Sequence, residues 1–210
     1  MVKVHQSSEN LDSTEQRIYI AAVDVFLEKG YDGARMQEIA DRAGINKALL
    51  HYYYRSKEQL FKRVFADTVS AMFENISMVF TAQLPFDEKL RRFSEAYISF
   101  QIQRPGLPLF LLTEIRLHPQ LIESTMNDLR LKSRFAMMKL LIHEAIEKDE
   151  IETGSALHLM IHIISMLIFP IIGKSMIMML LDLSNEQYAA IIEERKSVVP
   201  EFVLKTVKKS

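Results

Sequence analysis

The stretch that decides the fold is Arg35-Met-Gln-Glu-Ile-Ala-Asp-Arg-Ala-Gly-Ile-Asn-Lys-Ala-Leu-Leu-His-Tyr-Tyr-Tyr54. Its apolar residues recur at helical spacing on both sides of Gly44, which predicts two short helices joined by a tight turn. Small or apolar residues are needed where two such helices cross, and Ala40, Ile45 and Leu50 supply them. The pattern is that of a helix-turn-helix, whose second helix can lie in the major groove of DNA. On its own this pattern is weakly specific, because many two-helix hairpins share it.

The flanking sequence predicts helices throughout. Apolar residues recur every three or four positions, and there is no convincing alternating strand pattern and no Asn-Gly or Asp-Gly hairpin turn. Ser-x-x-Gln pairs that begin at Ser56 and Ser184 predict two helix N-termini. Pro170 and Gly173 are expected to bend or break the penultimate helix. Residues 1–12 are expected to form a flexible tail. The predicted helices cover about 12–29, 36–43, 46–53, 57–83, 87–103, 108–117, 119–148, 154–181 and 184–208.

The composition excludes several classes of protein. The 210 residues are 49% hydrophobic and 25% charged, with only 6 Gly and 6 Pro, which excludes disordered and collagen-like chains. The absence of cysteine excludes disulfide scaffolds, Cys-ligated metals and Cys nucleophiles. The motifs of nucleotide-binding loops, serine hydrolases and zinc proteases are absent, so we expect no enzyme and no cofactor. Residues 1–11 are polar, so we expect no secretory signal and a cytoplasmic location.

Positive charge is concentrated beside the helix-turn-helix pattern. The whole chain carries a net charge of −1, yet residues 46–63 hold five basic residues against the single acid Glu58. Three tyrosines at 52–54 lie within the same window. Cations beside hydroxyl donors suit the phosphates of DNA. On charge alone, a solvated basic helix face remains an equally open interpretation. The five basic residues are Lys47, Arg55, Lys57, Lys62 and Arg63.

A longer set of motifs makes the pattern specific. It comprises Phe26-Leu-Glu-Lys-Gly-Tyr-Asp-Gly33, Glu38-Ile-Ala-Asp-Arg-Ala-Gly-Ile-Asn-Lys47 and Leu50-His-Tyr-Tyr-Tyr-Arg-Ser-Lys-Glu-Gln-Leu-Phe61. With these motifs in this order, residues 13–65 resemble the N-terminal domain of tetracycline-repressor-like (TetR/AcrR) regulators. The resemblance implies an all-α protein with a three-helix DNA-binding domain over 13–60. It also implies a larger helical domain over 61–210 for ligand binding and dimerisation, with the helix at about 57–83 bridging the two.

The resemblance further implies which residues contact DNA. Positions 46–49 occupy the exposed start of the recognition helix. His51 stands where the family usually has a phosphate-contacting tyrosine, and Lys57 matches a family lysine that contacts phosphate. Where the family often has Thr or Ser at the start of the second helix, this chain has Ala34 and Arg35. A phosphate contact there would therefore depend on the charge of Arg35. The predicted DNA-binding residues are Arg35, Gln37, Asn46, Lys47, Ala48, Leu49, His51, Tyr52 and Lys57.

The last two helices are predicted to form a homodimer interface. Residues 157–169 are apolar nearly all round, and a helix that is apolar on every face must be buried on every face. The resemblance implies that this helix and the last one pair with their symmetry mates in a four-helix bundle. A two-fold dimer also suits a palindromic operator. The predicted interface residues are Leu157, Ile161, Ile164, Ile168, Tyr188, Ile192, Val199 and Phe202.

A sensing pocket is predicted between the middle helices. The chain has 12 methionines, and Met-rich surfaces repack around varied apolar shapes. The same methionines could instead fill the core or the dimer interface. With Glu114 and His143 as the polar members, the pocket would take a small and largely apolar effector. The predicted pocket residues are Phe93, Phe100, Phe110, Glu114, Phe135, Met138, Ile142, His143 and Met166.

Two further interpretations concern the penultimate helix. Residues 155–173 carry no formal charge over 19 positions, which is long enough for a membrane span. No aromatic belt flanks them, however, and His158, His162 and Pro170 interrupt them. The two histidines have the i, i+4 spacing of metal ligands but lack a third ligand, so we expect no metal site. The predicted function is a ligand-released repressor that binds operator DNA as a homodimer; a membrane-associated or scaffold helical protein with a basic head is the alternative.

Overall fold

The computed structural model describes residues 13–207, except for the side chains at positions 75, 77, 78, 80 and 131. Every regular element in this range is an α-helix, which confirms the predicted all-α class. The predicted tail over 1–12 and the predicted end of the last helix at about 208 lie outside the described residues. The helices are α1 Ser13–Gly33, α2 Met36–Arg42, α3 Lys47–Tyr53, α4 Lys57–Thr81, α5 Phe86–Gln103, α6 Leu107–Leu117, α7 Pro119–Asp128, α8 Leu131–Glu147, α9 Ala156–Ile172, α10 Lys174–Leu181 and α11 Asn185–Val207.

The described residues divide into two compact units. Unit 1 consists of residues 13–71 and 109–130, and unit 2 consists of residues 72–108 and 131–207. Unit 1 therefore holds α1–α3 and the first part of α4, together with most of α6 and all of α7. The sequence-based boundary at residue 60 places α6 and α7 with the C-terminal half instead. That boundary describes a division of function and stays a prediction.

A cluster of aromatic rings forms the centre of unit 1. The ring centroid of Phe61, a fully buried residue of α4, lies 5.1 Å from that of Phe26 and 4.9 Å from that of Tyr31. Phe65 and Phe110 lie 6.0 Å and 6.1 Å from the same ring. Several of these pairs are T-shaped, an arrangement that adds to the stabilisation from burial. The cluster joins α1, α4 and α6 into one body.

Helix α5 is central to unit 2. It packs most extensively on α11 and also contacts α8 and α9. Its buried face repeats every three or four residues, as at Leu90, Phe93, Tyr97 and Phe100. Ser94 lies on the same face, and its hydroxyl donates to the carbonyl of Leu90 at 2.9 Å, so this buried polar group is satisfied.

The predicted single helix over 119–148 is wrong, because the structure divides it into α7 and α8. The break is at Arg130, whose φ of 50° is left-handed. The amide of Leu129 donates to the carbonyl of Thr125, and that of Arg130 donates to Asn127, so the end of α7 is closed by its own backbone. No glycine or proline marks this position. The sequence therefore carries no ordinary signal for the break.

The predicted break after Pro170 is confirmed, and α11 supplies the polar groups that it requires. Proline has no N–H, so it leaves the carbonyl four residues earlier, that of Met166, without its helical donor. Arg195 of α11 donates to that carbonyl at 2.5 Å. The hydroxyl of Tyr188, also on α11, donates to the carbonyl of Pro170 at 2.9 Å. The carbonyls that lack helical donors at the end of α9 are thus paired by side chains of a neighbouring helix.

Between residues 13 and 207, no single helix is long and apolar enough to cross a membrane. In the same range, the helix pair α9 and α10 meets the length and composition criteria only when taken together, and these two helices are bent by 72°.

We expect Arg195→Met to lower the free energy of unfolding by about 1–3 kcal/mol, because the Met166 carbonyl then stays buried without a donor. Arg195→Lys keeps a cationic donor and should lose less. Urea unfolding at one fixed protein concentration measures both. The matched control is Lys205→Met, which removes an exposed cation from the same helix. Equal stability of Arg195→Met and Lys205→Met would contradict this account of the α9 break.

Candidate nucleic-acid interface

Helices α2 and α3 form the predicted helix-turn-helix. Gly44 lies in the turn with φ of 65°, a left-handed conformation that glycine adopts without strain. The amide of Ile45 donates to the carbonyl of Ala40 at 3.0 Å, which closes the turn. Ile39, Ala40 and Leu50 are fully buried where the helices cross. Of the three residues chosen from the sequence, Ala40 and Leu50 are therefore buried, whereas Ile45 is half-buried.

Asn46 begins the recognition helix α3. Its backbone is extended, and its side-chain oxygen accepts a hydrogen bond from the amide of Leu49 at 2.8 Å. This is the geometry of an N-cap, which satisfies one of the free amides at the start of a helix. The cap fixes the point at which the chain enters α3, and hence the direction of the exposed side chains that follow.

We expect Asn46→Ala to destabilise unit 1 by about 1 kcal/mol, because the amide of Leu49 loses its acceptor. Asn46→Asp keeps an acceptor at the cap and should retain the stability. Urea unfolding compares the two variants. DNA binding by the same two variants separates capping from DNA contact. Asn46→Asp keeps the cap but adds a negative charge, which would repel DNA phosphates at this position. Equal destabilisation by Ala and Asp would mean that the cap contributes nothing.

The outer face of α3 is exposed along its length. Lys47, Ala48, Leu49 and His51 are exposed, and Tyr52 is 80% exposed. An 80% exposed tyrosine contributes almost nothing to the core. Its ring meets that of Tyr53 edge to face, with the centroids 5.5 Å apart. The face therefore presents a cation, an imidazole, a phenol and small apolar groups to whatever binds it.

The inner face of α3 is held by Tyr54, which follows it. Tyr54 is 6% exposed, and its hydroxyl donates to Glu15 of α1 at 3.1 Å. Burial, followed by the nearby charge of Glu15, raises the pKa of Tyr54 to about 12. The hydroxyl therefore stays protonated and remains a donor at neutral pH. This bond ties the end of the recognition helix to α1.

The cations of the region differ in whether they have acidic partners. Lys62 pairs with Glu58 and Arg63 with Asp67, each at 2.7 Å, so two of the five basic residues counted in the sequence are neutralised locally. Arg42 pairs with Glu28 and Glu38, and its hydrogen bond lowers the pKa of Glu28. The pKa of Glu38 is lowered first by its hydrogen bond from Lys29 and then by that from Arg42. Within the described part of the chain, no carboxylate lies within 4 Å of the remaining cations between 35 and 57. These are Arg35, Lys47, Arg55 and Lys57.

Besides Asn46 and Tyr52, Gln37 and Lys57 also make side-chain contacts within the protein. The side-chain amide of Gln37 donates to Asp41 at 2.8 Å. The ammonium of Lys57 donates to the carbonyls of Tyr31 at 2.8 Å and Ala34 at 3.2 Å, and it lies 4.4 Å from the centroid of the Tyr31 ring. An ammonium has three donors, so one N–H of Lys57 is left for a phosphate.

The comparisons with known proteins agree with this geometry. Residues 18–64 match the profile of bacterial regulatory proteins, tetR family. In this part of its sequence the chain is similar to the tetR-family regulators. It is 27% identical over 165 residues to the probable HTH-type transcriptional regulator YttP of Bacillus subtilis, covering 75% of this chain and 77% of that protein. It is 33% identical over 89 residues to the transcriptional activator FasR of Mycolicibacterium smegmatis, covering 42% and 41% of the two chains. These relatives are transcription regulators, not enzymes.

A solved structure of a transcriptional regulator has the same fold over most of the chain. The Bacillus subtilis regulator FadR in complex with stearoyl-CoA superposes with a TM-score of 0.66 at 20% identity. The match covers 90% of this chain and 97% of FadR. The likeness therefore extends well beyond residues 18–64, to the helical C-terminal half.

The predicted pocket residues of this TetR-like chain fall in both units. Phe110 and Glu114 lie in unit 1, and the other seven lie in unit 2. Phe93, Phe100 and Ile142 are buried, and Met138 and Met166 are half-buried. Phe135 and His143 are exposed, although the ring of Phe135 meets that of Phe73 at 5.8 Å. Their role in binding a ligand stays a prediction.

The predicted dimer residues are of two kinds. Tyr188, Ile192 and Val199 of α11 are buried within the protomer, so they are core residues of unit 2. Ile164 and Ile168 are half-buried, whereas three residues of α9 and α11 are clearly exposed. Phe169 and Val198, which were not among the predicted interface residues, are also exposed at 50% each. The three exposed residues from the prediction are Leu157, Ile161 and Phe202.

The histidine pair of α9 does not form part of a larger cluster. The rings of His158 and His162 lie 6.2 Å apart, beside an open groove lined by residues 152–155, 159 and 206–207. Among residues 13–207, no three His, Cys, Asp or Glu side chains come together as metal ligands do. The spacing of the two histidines is therefore a consequence of one helical turn.

Proposed function

We propose that the chain is a homodimeric repressor that binds a palindromic operator and is released by a small apolar ligand. The observation that carries this proposal is the outer face of α3. This face is exposed, and the cap at Asn46 fixes its direction. Lys47 on this face, and Arg35, Arg55 and Lys57 near it in sequence, have no carboxylate within 4 Å among the described residues. A surface of this kind matches both parts of DNA recognition, because cations hold the phosphates and the other side chains reach the bases.

The roles proposed for the residues follow from their placement. Residues 46–49, His51 and Tyr52 lie on or at the start of the exposed face of α3 and are assigned to bases and adjacent phosphates. Arg35, at the start of α2, is exposed and is assigned to phosphate. Lys57 has one N–H available for phosphate, and Gln37 has one amide N–H beyond the one that it gives to Asp41.

The proposed dimer uses exposed apolar side chains of unit 2. Leu157 and Ile161 on α9 and Phe202 on α11 are each between 46% and 59% exposed. Large apolar groups that cluster on a surface mark a protein–protein contact. A contact of one patch with its own copy is two-fold symmetric, and two recognition helices related in this way read the two halves of a palindrome.

The proposed effector is small and largely apolar, and it acts by favouring one of two states of the dimer. The buried rings of Phe93 and Phe100 and the half-buried Met138 and Met166 supply apolar surface in unit 2. Stearoyl-CoA, which is bound in the FadR structure, is the first compound to try because of its apolar acyl chain, although its CoA part is large and charged. A ligand shifts the equilibrium only by the difference in its affinity for the two states. We propose that the protein binds its operator and its effector in the cytoplasm.

Selection of DNA from a pool of random duplexes, at two salt concentrations, tests the proposal. Recovery of an inverted repeat whose half-sites lie about one helical turn apart would support a dimeric reader. Binding that is blind to sequence and lost at higher salt would leave only a basic surface. Transcription in vitro from a promoter overlapping the selected site then distinguishes repression from activation, and stearoyl-CoA is added to the same reaction to test release.

A further inference from the structure

A buried carboxylate lies against the turn that precedes α2. Glu114 of α6 is 2% exposed, and its Oε1 accepts a hydrogen bond from the backbone amide of Tyr31 at 3.1 Å. The same oxygen lies 2.6 Å from the position that a Cβ at Gly30 would take. Gly30 has φ of 67° and ψ of −177°, a conformation that is essentially restricted to glycine. Glycine is therefore required at position 30 for two reasons: it adopts this conformation, and it leaves room for the carboxylate of Glu114.

Residues 30–34, which we call the Gly30 turn, comprise the end of α1 from its kink at Gly30 together with Ala34, and they are also held by α4. The carbonyl of Tyr31 accepts from Lys57 at 2.8 Å, and the carbonyl of Ala34 accepts from the same ammonium at 3.2 Å. Residue 31 is therefore fixed at its amide by α6 and at its carbonyl by α4. Ala34 is followed directly by Arg35, the N-cap of α2, so the position of the Gly30 turn determines where the helix-turn-helix begins.

Stability alone gives no reason for a carboxylate at this point. Burial raises the pKa of Glu114, and the amide of Tyr31 only partly opposes that shift. Among the described residues, Oε2 of Glu114 has no hydrogen-bond partner. The charged or titratable groups near Glu114 are His118, whose Nε2 is 3.7 Å from Oε2, Asp32, which lies 3.4 Å from that nitrogen, and the ammonium of Lys57. Burying a charge with so few bonds is costly, so its presence calls for another explanation.

We propose that Glu114 is a positioning residue that couples α6 to the helix-turn-helix through the Gly30 turn. The coupling is direct, because it depends on one hydrogen bond and one close contact rather than on a movement passed along α4. Since the carboxylate is under-satisfied, a small displacement of α6 is enough to exchange the Tyr31 bond for water. The inference rests on the proposed function, because it describes how binding of DNA would be controlled.

The test compares Glu114→Gln with Glu114→Asp in the full chain. Glutamine removes the charge but keeps an acceptor at the same reach, whereas aspartate keeps the charge and withdraws the acceptor by one methylene. We measure hydrogen exchange at the amides of the Gly30 turn and affinity for the duplex recovered by selection. We expect Gln to match the wild type within about twofold in both. We expect Asp to speed exchange in the turn and to weaken DNA binding about tenfold, a typical allosteric coupling.

The matched control is Glu123→Asp, which makes the same change at an exposed carboxylate of α7. Exchange in α5 reports whether unit 2 stays folded in every variant. Wild-type exchange in the turn of the Asp variant would overturn the proposal, as would faster exchange with unchanged DNA affinity. A general rise in exchange across α1 and α4 would mean that Glu114 is merely structural, and would overturn it too. Failure of the wild type to bind any duplex would instead remove the proposed function on which the inference rests.

Discussion

Phe61→Ala is expected to lower the free energy of unfolding by about 3–5 kcal/mol, the range for removing a fully buried phenylalanine. Phe61 lies at the centre of the aromatic cluster of unit 1, with rings of α1, α4 and α6 around it. These helices hold the helix-turn-helix, so a cavity at this position loosens three elements together. Urea unfolding followed by helical content measures the loss.

The control for Phe61→Ala is Leu117→Ala, which truncates a side chain of unit 1 that is 52% exposed. An exposed truncation of this kind usually changes stability by no more than about 0.5 kcal/mol. If Phe61→Ala cost less than about 1 kcal/mol, the cluster would not be the structural centre of unit 1.

Lys47→Ala is expected to weaken binding to the selected operator by about 10- to 100-fold at 0.1 M salt, since the proposed dimer would lose two cations at once. The loss should be nearly uniform across operator sequences if Lys47 contacts phosphate. The dependence of log affinity on log salt should become shallower by about two, because each phosphate contact contributes about 0.9 to that slope. Titrations at four salt concentrations give both quantities.

Lys132→Ala is the control for charge alone, because Lys132 is an exposed lysine of α8 in unit 2. It should leave affinity and salt slope close to those of the wild type. A Lys47 variant with unchanged affinity and slope would remove Lys47 from the interface. A loss restricted to some operator sequences would move it from the phosphates to a base.

Local signals in the sequence account for much of the fold. Ser184 and Gln187 form the predicted reciprocal cap, with bonds of 2.7 Å and 3.2 Å. Gly44 and Pro170 mark a turn and a break because their backbone requirements differ from those of other residues. The break at Arg130 lacks such a marker, since arginine has no preference for the left-handed conformation that it adopts there, and backbone hydrogen bonds close this helix end.

The candidate interface was predictable where it depends on the motif and unpredictable where it depends on distant partners. The exposed face of α3 follows from the spacing of buried Leu50 and Tyr54. The contact of Glu114 with Tyr31 joins residues that are 83 positions apart, so no local sequence pattern predicts it. The predicted role of Glu114 in binding a ligand stays a prediction; its Oε1 accepts from the amide of Tyr31, and its Oε2 has no hydrogen-bond partner among the described residues.

The α9 break has a consequence for how this chain can evolve. Proline at 170 creates the need for a donor, and Arg195, with Tyr188 beside it, meets that need from a helix distant in sequence. A proline gained before the arginine leaves a carbonyl unpaired, whereas an arginine gained first costs little. The order of substitution is therefore constrained, and positions 170 and 195 should be inherited together. In descendants that lose Pro170, the Met166 carbonyl regains a backbone donor, so substitution of Arg195 should then be tolerated.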